Sequence, residues 1–237
     1  MWSKFVLLIA AAADVFSVFA EEPEACRDLD GKCADWITAS SRSCNVPYIS
    51  ASCRKSCVLC GEFDKKYDLR RLPSQLKPLA FLVGKWRSDH GGKAVFATIP
   101  TFTYGEEVDI SIPDSRSRPL PALNFTSRAW SVNNPDEELH SESGYISVDP
   151  RTGTAALTTT MNNGFVTAEE GLIKGTKIKF RLIDVGRMSF SHDLPVVDVV
   201  REWSLVNKNT LDARLNMKTL THRMQPHTTI RYNKIEP

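Results

Sequence analysis

Phe102-Thr103-Tyr104-Gly105-Glu106-Glu107-Val108-Asp109-Ile110-Ser111-Ile112 alternates. Phe102, Tyr104, Val108, Ile110 and Ile112 put apolar side chains on the even positions, and Thr103, Glu107, Asp109 and Ser111 answer them on the odd ones. A period of two sends successive side chains to opposite faces, so this stretch reads as a strand with one buried face. Glu106 shares the apolar face with Tyr104 and Val108, which predicts a buried, hydrogen-bonded carboxylate at that position.

Similar short runs follow at regular spacing: 120–132, 142–148, 155–161, 165–173, 177–185, 196–206, 211–220 and 227–235. Turn signals separate them, among them Asp149-Pro150-Arg151-Thr152-Gly153, Asn162-Asn163-Gly164, Lys174-Gly175-Thr176 and Asn207-Lys208-Asn209. Strands in such succession, with no helical segment between them, predict an antiparallel meander closed as a barrel or packed as a sandwich. One short helix is expected over Leu76–Val83, before Gly84. A closed barrel encloses a space that side chains fill or a small ligand occupies.

The composition is that of a globular chain: 237 residues, 42% hydrophobic and 24% charged, with a formal charge of +2. So small a basic excess leaves no electrostatic footprint for nucleic acid. The N-terminus carries Lys4, an unbroken apolar run from Phe5 to Ala13, and the small-residue site Val18-Phe19-Ala20. That combination reads as a secretory signal peptide over residues 1–20, and the run is too short for a membrane span. No later segment approaches a membrane span, so the mature chain is expected to be secreted.

All six cysteines fall between Cys26 and Cys60, spaced Cys26-x6-Cys33-x10-Cys44-x8-Cys53-x3-Cys57-x2-Cys60. A segment this short lacks an adequate apolar core, and in an oxidising compartment the cysteines are expected to form disulfides. Spacing alone does not choose among their pairings. Cys26-Arg27-Asp28, Cys33-Ala34-Asp35-Trp36 and Ser52-Cys53-Arg54-Lys55-Ser56-Cys57-Val58-Leu59-Cys60 resemble an ShK-type domain. The resemblance implies the pairs Cys26–Cys60, Cys33–Cys53 and Cys44–Cys57 around two short helices. Toxins of this type block potassium channels with a lysine followed by a tyrosine, and here Pro47 precedes Tyr48. Without the cation, residues 26–60 read as an extracellular interaction unit. Residues 61–75 read as a short polar connector, and 76–237 as the barrel.

No nucleophile elbow, P-loop or zinc-protease motif is present. Glu106-Glu107, Glu137-Glu138 and Glu169-Glu170 are sequence neighbours, so on strands each pair points to opposite faces and makes a poor acid–base dyad. Of the five histidines, His90 beside Gly91-Gly92 and His192 in Ser191-His192-Asp193 are expected in loops. His140 stands at the opening of a strand, and His222 and His227 flank the turn Arg223-Met224-Gln225-Pro226.

Gly84-Lys85-Trp86, Phe96-Ala97-Thr98-Ile99 and Phe102-Thr103-Tyr104-Gly105-Glu106-Glu107 resemble the opening motifs of a nitrobindin domain, of the kind that ends a THAP zinc-finger protein. His140-x-Glu142-x-Gly144-Tyr145-Ile146, Glu169-Glu170-Gly171 and the tail from Met217 through His227-x4-Tyr232-x-Lys234 continue the match. The resemblance implies a ten-stranded antiparallel barrel that binds heme b, with His227 as axial iron ligand and Thr98 against the heme. It further implies nitric oxide binding and heme-dependent isomerisation of peroxynitrite to nitrate. Phe96 and Ala97 stand where the family has tyrosine and proline. Two other readings compete: a secreted carrier of a fatty acid or other lipid without heme, and an interaction protein led by the ShK-type unit. Asn124-Phe125-Thr126 is the one glycosylation sequon, inside an expected strand, and makes Asn124 a candidate glycan site.

Overall fold

The computed structural model describes residues 27–40, 43–44, 46–57, 64–96, 99–114 and 120–237. Ten antiparallel strands form one closed barrel. They are β1 (Gly84–Ala94), β2 (Phe102–Ser111), β3 (Ala122–Ser131), β4 (Asn134–Val148), β5 (Thr154–Met161), β6 (Phe165–Lys174), β7 (Lys177–Arg187), β8 (Val196–Asn207), β9 (Thr210–Thr219) and β10 (Gln225–Glu236). Each strand pairs with its sequence neighbour, and β10 returns to pair with β1. Closure leaves no sheet edge for aberrant pairing.

The opening stretch follows its alternation except at its end, where Ser111 on an odd position is also buried. Tyr104, Val108 and Ile110 are buried while Thr103 is exposed. Ile178, Phe180, Leu157, Ile146, Leu123 and Phe125 fill one half of the interior. Trp203 meets Phe125 and Phe180 at ring-centroid distances of 5.6 and 5.4 Å. That half is plugged by the segment before β1. Ser74–Leu82 winds as a 3-10 helix and buries Leu76, Leu79 and Leu82. Pro78 lies inside it and removes a backbone donor, which favours the short, tight form over a regular α-helix. Trp86 Nε1 donates to the Leu82 carbonyl at 2.8 Å and ties plug to barrel.

Some local expectations shift. Residues 84–94, including His90 and the two glycines, form one strand, held by both β2 and β10 over Lys85–Arg87 and again at Lys93–Ala94, with the β10 ladder broken between Arg87 and Lys93. Its ladder to β2 is interrupted between Ser88 and Gly92. Part of the expected connector also packs on the barrel. Tyr67 is buried and its hydroxyl donates to Asp109 at 3.0 Å, while Leu72 joins the core.

Among the described residues of the N-terminal unit, α1 (Cys33–Ala39) and α2 (Pro47–Ser52) are α-helices. Cys33–Cys53 and Cys44–Cys57 are disulfide-bonded. The pair Cys26–Cys60 lies outside the described residues. Arg54 Nη1 meets Glu236 at 3.4 Å, an ion pair between this unit and the last strand.

Candidate functional site

Opposite the plug, the barrel is open. A cavity of about 620 Å³ enters there, within the size range of small-molecule and cofactor sites. Phe96, Phe102, Phe165, Val199, Leu215 and Met217 supply apolar wall. Four of the five histidines reach the lining: His140, His192, His222 and His227. His90 lies on β1 and is exposed. Thr98, which the resemblance sets against heme, lies outside the described residues.

His227 is the most constrained of the four. It sits near the start of β10, where Val95 extends the β1–β10 ladder by one step past Ala94↔Thr228. Val95 N donates to the His227 carbonyl at 2.8 Å, and His227 Nδ1 lies 3.1 Å from the Val95 carbonyl oxygen. A carbonyl only accepts, so the proton of the neutral ring is on Nδ1 and the lone pair on Nε2. Burial pushes the imidazole below its ordinary range, with His140 adding in the same direction, although the Val95 bond pulls the other way. A neutral ring with its second nitrogen oriented by a carbonyl is the arrangement of a metal-ligating histidine. Phe96 closes on it edge-to-face, centroids 4.7 Å apart at 90°. His222 instead holds its Nδ1 2.9 Å from the Thr221 hydroxyl, at the tip of the β9–β10 turn.

The deep end of the cavity is polar and internally satisfied. Arg201 on β8 meets Glu142 on β4 through Nη1–Oε1 at 2.8 Å and Nη2–Oε2 at 3.1 Å. Its other edge meets Glu169 on β6, Nε and Nη2 each at 3.2 Å. Thr167 donates to Glu169 at 3.1 Å and in turn meets Thr159 at 2.9 Å. Burial pushes the Glu142 carboxyl up, but Arg201 outweighs it and holds the carboxyl below its usual range. Glu106 accepts hydrogen bonds from the Ser127 hydroxyl and, at 2.8 Å, from the Tyr232 hydroxyl. Burial raises it above the usual range against both donors. It is thus a hydrogen-bonded inward carboxyl, as its parity suggested.

Parity also sorts two of the three carboxylate pairs, whereas Glu137 and Glu138 are both exposed on the first part of β4. Glu169 is buried and Glu170 exposed, while Glu107 faces out to Arg87 at 3.2 Å. Arg201 escaped the sequence reading. The signal for it was its phase: Val199, Arg201 and Trp203 occupy one face of β8, all buried. Asn124 faces outward on β3, half-exposed, beside Thr126 and Tyr145 in a surface groove.

The lining suits a heme. It offers one prepared imidazole nitrogen at an apolar mouth, and the charged floor beneath already has its partners.

Comparison with known proteins agrees. The family described as THAP4-like, heme-binding beta-barrel domain matches residues 75–234. An uncharacterized Caenorhabditis elegans protein, C28H8.5, is 48% identical over 223 residues, covering 90% of this chain and 74% of that one. The mouse protein named peroxynitrite isomerase THAP4 is 29% identical, over 83% of this chain and 32% of its own length. An Arabidopsis thaliana protein named peroxynitrite isomerase Rv2717c is 30% identical, over 63% of this chain and 82% of its own. The chain therefore spans only about a third of the mouse relative. The crystal structure of Rv2717c from M. tuberculosis superposes with a TM-score of 0.59 at 24% identity, covering 69% of this chain and 98% of that one, and shows the shared fold. With its closed ten-stranded barrel and a family match across residues 75–234, this chain belongs to the THAP4-like heme-binding β-barrel domain family.

Proposed function

We propose that this protein is a secreted heme-b-binding barrel that isomerises peroxynitrite to nitrate and binds nitric oxide, with His227 as the axial iron ligand. The observation that carries the reading is the Nδ1 contact of His227 with the Val95 carbonyl, which leaves Nε2 as the ligating nitrogen. Heme, when bound, would supply the iron centre at which both small molecules react. The chain's own part is different. Partial burial lowers the His227 pKa and favours the neutral ring, whose lone pair is free for a metal. Phe96, Phe102, Phe165 and Met217 give an apolar wall that excludes water from a confined reactant. The relatives named peroxynitrite isomerase support the reaction assignment.

A fatty-acid carrier is the weaker reading. A carboxylate held at the floor needs a free cation, and Arg201 is already bidentate to Glu142 and paired with Glu169 on its other edge. A third carboxylate there would add uncompensated negative charge in a buried site.

The N-terminal unit is read as an ShK-type interaction module that meets an extracellular protein. Its two described disulfides have the pairing that such a module requires, and disulfides persist in secreted proteins. Purified protein exposed to hemin should develop a histidine-ligated Soret band, bind nitric oxide when reduced, and accelerate peroxynitrite decay to nitrate. No Soret band at any hemin concentration would overturn the heme reading.

A further inference from the structure

We propose that Phe96 is a positioning residue for His227, setting the plane of the imidazole and so keeping it in the Val95 hydrogen bond that selects its tautomer, before any ligand arrives. The inference rests on the heme reading only for its consequence, because the geometry belongs to the protein alone.

Three contacts define the arrangement. The first is the paired Val95–His227 backbone and side-chain hydrogen bonding, at 2.8 and 3.1 Å. It selects which nitrogen carries the proton only while the ring stays in place, and one hydrogen bond at Nδ1 still lets the ring rock about its Cβ–Cγ bond and lose that selection. The second contact removes that freedom. Phe96 meets the imidazole edge-to-face at 90°, with centroids 4.7 Å apart. An aromatic pair in this geometry resists both tilt and slide. The third contact holds Phe96 itself. It stacks on Phe102 at 5.9 Å and 11°, and Phe102 opens β2 directly opposite Ala94. The ring of Phe96 is thereby referenced to β2, while His227 is referenced to β10. Two strands on either side of β1 thus clamp one imidazole.

Phe96 has little other structural work. It is 38% exposed, outside the core that the plug and Trp203 build. Truncation there removes the clamp without opening a buried hole, so Phe96→Ala should fold. Partners that orient a metal-ligating histidine are typically worth about 10–100-fold in affinity.

The test uses the full chain with 15N-labelled histidine, prepared without heme, at a pH where the imidazoles are neutral. Wild-type His227 should show a protonated Nδ1 and an unprotonated Nε2. Phe96→Ala should mix in the other tautomer, and Phe96→Tyr, which keeps the ring, should restore the wild-type pattern. Hemin titration of the same three proteins should give on the order of tenfold weaker binding for Phe96→Ala and near-wild-type binding for Phe96→Tyr. Thermal melts of all three should coincide within a few degrees. A wild-type tautomer pattern in Phe96→Ala would overturn the proposal, even if hemin binding weakened, because Phe96 would then act only by touching the ligand. Mixed tautomers in Phe96→Ala but not in wild type or Phe96→Tyr, with no hemin binding by any of the three, would uphold the clamp and sink the heme reading instead.

Discussion

Arg201 and Glu142, 59 residues apart in the chain, meet in a buried bidentate ion pair across the barrel interior. Glu169 caps the other edge of the same guanidinium. Strands β4, β6 and β8 are thereby joined by one side chain. Replacing Arg201 with Met would leave two carboxylates buried without a cation. The expected loss is on the order of 3–5 kcal/mol of unfolding free energy, read by urea denaturation. A loss below about 1 kcal/mol would mean that water or proton uptake already compensates the pair.

The histidines around the mouth should separate by role. His227→Ala should abolish or greatly weaken hemin binding while far-UV circular dichroism remains that of the barrel. His222→Ala should leave the Soret spectrum nearly unchanged, because His222 is turned to Thr221 at the turn tip. His140→Ala and His192→Ala complete the series, since both also reach the lining. If His222→Ala abolished binding and His227→Ala did not, the axial assignment would belong to the wrong ring.

Lys234 predicts a pH dependence of stability. Its ammonium stands over the Trp86 ring at 5.0 Å, and burial pushes it down from 10.5 to about 8. Below pH 8 folded and unfolded chains both carry the proton, and burying the charge costs stability. Between about 8 and 10.5 the unfolded chain keeps a proton that the folded chain has released, so this group makes stability rise with pH. Lys234→Met should therefore be more stable than wild type at pH 7, by on the order of 1–2 kcal/mol given the residual exposure of the side chain. The difference should shrink toward zero as the pH approaches 10.5. Urea melts across that range measure it, and a difference independent of pH would remove Lys234 from the account.

Gly144 is a packing glycine. It pairs with Phe125 on β3 and Thr159 on β5, and a Cβ there would overlap the Thr158 carbonyl oxygen. Gly144→Ala should cost roughly 2–3 kcal/mol through strand displacement. Gly31, with open space around it, is the control, and its alanine variant should be near neutral. Chemical denaturation compares the two.

Non-reducing peptide mapping should find Cys26–Cys60 beside the two described pairs, with no free thiol. A different partner for Cys26 would show that the N-terminal unit is not of the ShK type. If the unit is of the ShK type, it should not block potassium currents at micromolar concentration, since Pro47 would then stand in place of the toxin lysine.

Much of the architecture is legible in the order of the residues. The alternation from Phe102 to Ile112, repeated between turns rich in glycine and asparagine, is a local property of the chain, and so is the inward phase of Glu106 and Glu169. Parity is set by backbone geometry one residue at a time, which is why it survives into the tertiary structure. β1 escaped this reading because Ser88-Asp89-His90-Gly91-Gly92 has no alternation of its own. Those residues are carried as an irregular stretch between two paired ends, since the ladders to β2 and β10 both break there and resume at Gly92 and Lys93.

By itself, then, the sequence determined the strand succession, the cysteine-rich N-terminal unit and, through separated motifs, the family and the histidine to watch. What only the tertiary structure decided was which side chains meet. Arg201 finds Glu142 and Glu169 from three different strands, and Phe96 finds His227 across the junction of β1 and β10. The physical reason is that barrel closure converts distant positions into neighbours. The register that sets them opposite one another is a property of the whole ladder and is carried by no single segment.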